Sequence, residues 1–180
     1  MSNRFFFLCW GVLVVLLLGC ATQHPRKEYY SQPEIQHAAN AIFDVRIEPV
    51  KQGNPFYVAF QLTLTNKSAQ PIAIDWNRSR YFSDGQDLGV FVFKGIDPES
   101  VKDGIPEEIV APGETLDKRI SPYRTLAFRY GKDFVQADQH RIYAGILPDG
   151  DNTVLLSVEQ GGHVYEERLT VQLLTRDMAQ

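Results

Sequence analysis

The chain has 180 residues, 44% of them hydrophobic and 22% charged, with a formal net charge of −4. That length fits one domain, and the balance of residue types excludes a disordered or collagen-like chain. Two cysteines cannot staple a small disulfide scaffold, and a pI near 5.5 argues against a dedicated nucleic-acid binder.

Met1-Ser2-Asn3-Arg4 begins the chain with one side-chain charge, and Phe5 to Leu18 follows as fourteen residues without any. As a helix at about 1.5 Å per residue it reaches roughly 21 Å, short of a hydrocarbon core of roughly 30 Å. A basic start, a short apolar run and a small residue at its end describe a secretory signal peptide. Leu17-Leu18-Gly19-Cys20 closes the run. It resembles the lipobox of bacterial lipoproteins, with leucine three residues before an obligatory cysteine. The resemblance implies cleavage between Gly19 and Cys20 and acylation of Cys20, which anchors the protein to a membrane. Ala21, rather than aspartate, follows the cysteine. In a Gram-negative source that implies the periplasmic face of the outer membrane. The alternative is an uncleaved anchor from Phe5 to Ala21.

Residues 1–19 are thus expected to be signal peptide. Their loss removes Arg4 and Cys9 and leaves 161 residues with 17 basic and 22 acidic side chains. Residues 20–40 then read as a lipidated N-terminus and flexible tether. Ser31-Gln32-Pro33-Glu34 has capping-box spacing, which opens the alternative of a short helical turn over 33–41.

From Ala41 the pattern has period two, and residues 41–176 are expected to form the folded domain. Phe43, Val45 and Ile47 alternate with charged residues, and Pro49 ends that strand or places it at an edge. Phe56 to Thr65 is the clearest strand; Asn66-Lys67-Ser68 reads as a turn and Pro71 to Asp75 as a return strand. Further strands are expected over 88–93, 115–120, 125–130 and 142–147. Gly161-Gly162 joins the last two, 153–160 and 163–174, in a type I′ hairpin. That register sets Val158 against Tyr165 and Val154 against Leu169. It also puts Glu167 on the apolar face, which a bulge or an edge position would accommodate.

Many short strands broken by Pro and Gly indicate an all-β sandwich of about seven to nine strands. FQLTLTNKSAQPIAIDWNRSRY (Phe60 to Tyr81) and IVAPGETLDKRISP (Ile109 to Pro122) together resemble immunoglobulin-like domains of exported bacterial lipoproteins. The resemblance implies an architecture and a compartment, and carries over no catalytic residue.

Trp76, Asn77 and Tyr81 form the most distinctive cluster. They read either as a binding corner, since Trp and Tyr are favoured contact residues, or as a sandwich corner with Trp76 plugging the core and Asp75 and Asn77 holding turn amides. The histidines, His24, His37, His140 and His163, have no zinc-motif spacing. Asp84-Gly85 and Asp149-Gly150-Asp151-Asn152 read as turns rather than calcium loops. No cofactor or metal is expected. Lys94 to Asp117 holds seven acids against two bases, whereas Lys118 to Arg141 is rich in bases (Lys118, Arg119, Arg124, Arg129, Lys132, Arg141). The contrast suggests a bipolar surface for an envelope protein or polymer, or two solvated segments that offset one another. The leading expectation is a non-catalytic binding or accessory module. Two alternatives stay open: an envelope hydrolase or carbohydrate-active enzyme with acids from the Asp97–Asp117 loop, and an assembly subunit pairing through an edge strand.

Overall fold

Strands of alternating burial run through almost the whole of a computed structural model, which describes residues 27–129 and 141–178, without the side chains of 127–129 and 141–143. In chain order they are β1 (Lys27–Gln32), β2 (Gln36–Ala39), β3 (Phe43–Val50), β4 (Ala59–Asn66), β5 (Ile72–Ile74), β6 (Arg80–Ser83), β7 (Gln86–Gly89), β8 (Phe91–Phe93), β9 (Glu108–Val110), β10 (Thr115–Pro122), β11 (Ala127–Arg129), β12 (Arg141–Tyr143), β13 (Gly150–Gln160) and β14 (His163–Asp177). Two 3-10 turns, Pro98–Asp103 and Tyr123–Thr125, are the only helical pieces among the described residues. Glu28–Arg176 forms one compact unit.

The strands make two antiparallel sheets. One runs β1-β14-β13-β5-β9, with β6 pairing β13 beyond the end of β5 and β7 pairing β6; the other runs β2-β3-β4-β10-β8. A separate β11–β12 pair stands apart from both. Phe43, Val45, Ile47, Phe60, Leu62 and Leu64 from one sheet share a buried core with Ile72, Ile74, Val154, Leu156, Leu169 and Val171 from the other. Phe60 and Tyr81 meet across the gap with ring centroids 6.1 Å apart. Period-two alternation produces this core directly, because every second side chain of each strand points the same way. The all-β, two-sheet reading is therefore what the chain adopts. Its fourteen segments exceed seven to nine partly because β1 and β2, β5 and β6, and β7 and β8 are each separated by five residues or fewer.

The predicted hairpin forms in the predicted register, Val158 opposite Tyr165 and Val154 opposite Leu169. Gly161 and Gly162 take φ of 57° and 79° at its tip, the left-handed pair that a type I′ turn requires. The register is unbroken at Glu167, which pairs with Leu156, so no bulge accommodates that carboxylate. Instead Asn40 Nδ2 donates to Glu167 Oε1 at 3.0 Å, while Asn40 Oδ1 accepts from Ile42 N and Phe43 N. A polar residue on the inward face is thus satisfied by the opposite sheet's turn. Pro49 stays inside β3 opposite Phe60 and lies beyond the stretch, Asp44 to Ile47, that β2 covers. Its missing N–H is accommodated at an edge position.

Three expectations change. Residues 27–39 are not tether or helical turn: β1 joins the sheet edge at β14 and β2 the edge at β3. Lys51 Nζ donates to the Tyr29 carbonyl at 2.6 Å, and Tyr29 packs edge-on to Phe56 at 6.2 Å. Those contacts offset the entropy of ordering a polar segment. Residues 20–26 lie outside the described part, as do 1–19. The strand expected over 88–93 is two strands in different sheets, β7 and β8, because Gly89 with φ of 97° turns the chain from one sheet to the other. The strands expected over 125–130 and 142–147 are present only as the three-residue β11 and β12.

Candidate binding cleft and the Trp76 corner

The corner from Asp75 to Ser79 interrupts the strand path between β5 and β6. Asp75 Oδ1 accepts from Asn77 N at 2.9 Å and Arg78 N at 3.1 Å, and Ser79 N and Oγ both donate to the Asp75 carbonyl. This is the local chemistry by which aspartate closes a turn on its own backbone. Asp75 N still donates to Ser157 O, and Ser157 N donates to Ser79 Oγ at 3.1 Å. A serine hydroxyl here replaces the missing ladder carbonyl of β13's partner. Asn77 exchanges two 2.7 Å bonds with the backbone of Ile105, pinning the loop after the first 3-10 turn.

Trp76 and Tyr81 are each 0% exposed. The corner therefore corrects the binding reading of Trp76, Asn77 and Tyr81: its aromatics are core, and Asn77 spends its amide on Ile105. Trp76 packs on Phe93 at 4.7 Å between centroids. The Tyr81 hydroxyl donates to Asn152 Oδ1, and Asn152 Nδ2 in turn donates to the Pro148 and Gly150 carbonyls. Burial raises the Tyr81 hydroxyl well above the ordinary phenol range; Ser83 opposes and Asp84 adds to that effect.

Lys118 links corner to cleft. It stands opposite Leu62 on β4, on the inward face of its sheet. Its ammonium caps the Phe93 ring at 4.1 Å and the Trp76 ring at 5.8 Å, and it pairs with Glu108 on β9 of the other sheet. Glu108 is itself opposite Ile74, again on the inward face. A lysine stem buried along aromatics with its charge met across the sheets closes this side of the core, as Asn40 and Glu167 do with an amide on the other.

Beside Phe93 and Lys118 an open cleft of about 740 Å³ lies along the β8 edge. Val92, Phe93, Ile96, Leu126 and Ala144 supply apolar wall, and Lys94, Asp117, Lys118 and Arg119 supply charge. The β8–β10 register ends with Phe93 opposite Ile120, so Lys94 and Arg119 come next on adjacent chains. Asp117 turns to β4, where Gln61 Nε2 and Thr63 Oγ1 donate to its Oδ1. One wall depends on Gly145: a Cβ there would stand 1.6 Å from the Thr125 carbonyl oxygen, so only glycine lets the two segments approach. The cleft's volume falls in the range of small-ligand sites.

The acids of the 97–117 segment are scattered. Asp97 caps the 3-10 turn through Glu99 N, Glu114 accepts from Ala111 N, Glu108 pairs with Lys118, and Asp117 alone among them lines the cleft. Asp84-Gly85 is the turn between β6 and β7, with Asp84 Oδ1 accepting from Asp151 N. The turn reading of Asp149 to Asn152 is corrected: Gly150 to Asn152 begin β13 and pair with β14, while Asp149 accepts from Thr175 Oγ1. Among the described residues no group of histidine, cysteine or acid side chains has metal-binding proximity; His24 and His140 lie outside them. Of the basic run, Arg129, Lys132 and Arg141 have no described side chain.

The Asp87 carboxyl is held below its usual range. Burial alone acts to raise it, but hydrogen bonds from Arg80 and Gly89 N, with the charges of Arg80 and Arg124, outweigh that. A depressed carboxyl stabilises the fold above the unfolded pKa, and that gain is lost as pH falls through the folded pKa. The pair is well exposed, so Asp87→Asn is expected to cost only about 0.5 kcal/mol at neutral pH. Thermal melts of variant and wild type should converge towards acid pH; a gap that persists there would contradict the linkage. No protein-family model, no curated protein and no solved structure matches this chain.

Proposed function

We propose that this is a membrane-tethered lipoprotein of the bacterial cell envelope whose immunoglobulin-like sandwich acts as a non-catalytic binding or accessory module. The observation that carries the reading is the apolar run closed by Leu17-Leu18-Gly19-Cys20, with the first strand starting seven residues later at Lys27. At no more than about 3.6 Å per residue such a link spans at most roughly 25 Å, so the acylated cysteine would hold the sandwich close to the bilayer surface. Two acyl chains on Cys20 would make that attachment stable, which one chain does not. None of the described helices is long and apolar enough to cross a membrane. The immunoglobulin-like assignment rests on two antiparallel sheets sharing strand paths that pass from one sheet to the other, at β1–β2 and β7–β8. The binding role rests on the cleft beside β8, the place where apolar wall and uncommitted charge meet.

Cys20→Ala tests the anchor. Wild type is expected to partition with membranes at a mass lacking residues 1–19 and carrying acyl groups. The variant is expected to lose the acyl mass and to keep residues 1–19 or to leave the membrane. Identical full-length masses for both, each integral to the membrane, would instead establish the uncleaved anchor.

A further inference from the structure

We infer that the cleft beside β8 binds a phosphate-class anion carried on an apolar body, with Lys94 and Arg119 as its receptors. This names the ligand of the binding module proposed above and rests on that reading. Like charges at neighbouring positions of adjacent chains repel, and sheets ordinarily avoid the arrangement. Here Arg119, within β10, precedes Ile120, the first β10 residue paired with β8, and Lys94 follows Phe93, the last residue of β8; both are exposed and both line the cleft. Among the described residues neither has an ion-pair partner. The other charges of the cleft are committed: Lys118 to Glu108, and Asp117 to Gln61 and Thr63. Among the described lining residues Asp117 is the one carboxylate, hydrogen-bonded by neutral groups, so with Lys118 paired to Glu108 the two exposed cations outnumber the negative charge facing this open volume.

The chemistry of the pair selects the class of anion. A guanidinium offers a planar fork that fits tetrahedral oxyanions bidentately, and an ammonium adds a point charge. Together they match a group carrying nearly two negative charges, as a phosphate monoester does at neutral pH. The apolar remainder of the wall, Val92, Phe93, Ile96 and Leu126, gives a free inorganic anion nothing to touch. It favours a ligand whose anionic group is attached to an apolar or aromatic body, whether a lipid headgroup or a soluble ester.

Calorimetric titration of the full chain in decyl maltoside tests this, with phenyl phosphate, inorganic phosphate, phenyl glucoside and dodecyl phosphate mixed into the micelles as probes. Phenyl phosphate is expected to bind saturably, more tightly than inorganic phosphate and with an affinity that falls as salt is added. Lys94→Gln with Arg119→Gln should weaken it at least tenfold with an unchanged melting midpoint, since both side chains are exposed. Tighter binding of the micellar dodecyl phosphate would identify a lipid source, and tighter binding of phenyl phosphate a soluble one. Equal binding by the double variant, equal binding of phenyl glucoside or of inorganic phosphate, or no binding of either ester would overturn the inference. The outcome is separable from the anchor, because acylation of Cys20 is read independently by mass.

Discussion

Trp76→Ala is expected to destabilise the domain by about 3–5 kcal/mol, the range for emptying a large aromatic from a packed core. At roughly 2–4 °C per kcal/mol for a domain of this size, the melting midpoint should fall by about 10 °C. The side chain is wholly buried where the Asp75–Ser79 corner folds over the core, against Phe93 and under the Lys118 ammonium. Its removal leaves a cavity that a turn fastened by Asp75, Asn77 and Ser79 cannot relax to fill. Lys118 also loses one of the two rings beneath its charge.

The companion variant separates packing from hydrogen bonding. Trp76 Nε1 is buried with no acceptor among the described residues. Trp76→Phe therefore sacrifices volume and no hydrogen bond, and is expected to cost about 1–2 kcal/mol. Chemical denaturation of the three proteins reads both values. If Trp76→Phe were as damaging as Trp76→Ala, the indole N–H would be making an essential contact and the plug reading would be wrong.

The same corner shows what local sequence discloses. Asp75 as a turn former was legible because its chemistry acts within three residues, whereas Asn77 was not, because its side chain bonds Ile105, 28 residues away. Trp76 as core plug was legible only as an alternative, because the groups that bury it, Phe93 and Lys118, are distant in the chain. The β13–β14 hairpin was legible to the residue, since two glycines fix the turn and a period of two then fixes every pair. β1 and β2 were not. Each has one covered neighbour, so Lys27-Glu28-Tyr29-Tyr30 and Gln36-His37-Ala38-Ala39 bury only part of one face and show no clean alternation. The cleft was the least legible feature. Lys94 and Arg119 stand in segments of opposite charge character, and it is the antiparallel β8–β10 pairing that brings both to the lining of one cleft. The charge contrast along the chain divides these two bases between different segments and so gives no sign that both line one cleft.

Asn66 is expected to be the most costly polar residue to lose, at roughly 3 kcal/mol for Asn66→Ala, from several buried groups left unpaired at about 1 kcal/mol or more each. It is fully buried at the end of β4. Its Nδ2 donates to the Gln70 carbonyl at 2.8 Å and the Val110 carbonyl at 2.9 Å, and its Oδ1 accepts from both Ser68 N and Ser68 Oγ. Its own backbone bonds the turn after β9 through Glu114 O and Gly113 N. One amide at the end of β4 in one sheet thus ties the β4–β5 turn to the end of β9 in the other. Asn66→Asp keeps the acceptor and removes both donors, setting a carboxylate against two carbonyl oxygens. Its folded pKa should be raised, so the variant should be worst at neutral pH and recover relative to wild type as pH falls through that pKa and one O–H returns. Melting curves of the alanine and aspartate variants at neutral and acid pH check this. A deficit in Asn66→Asp that does not shrink on acidification would mean that the two donated bonds are not what holds the sheets together here.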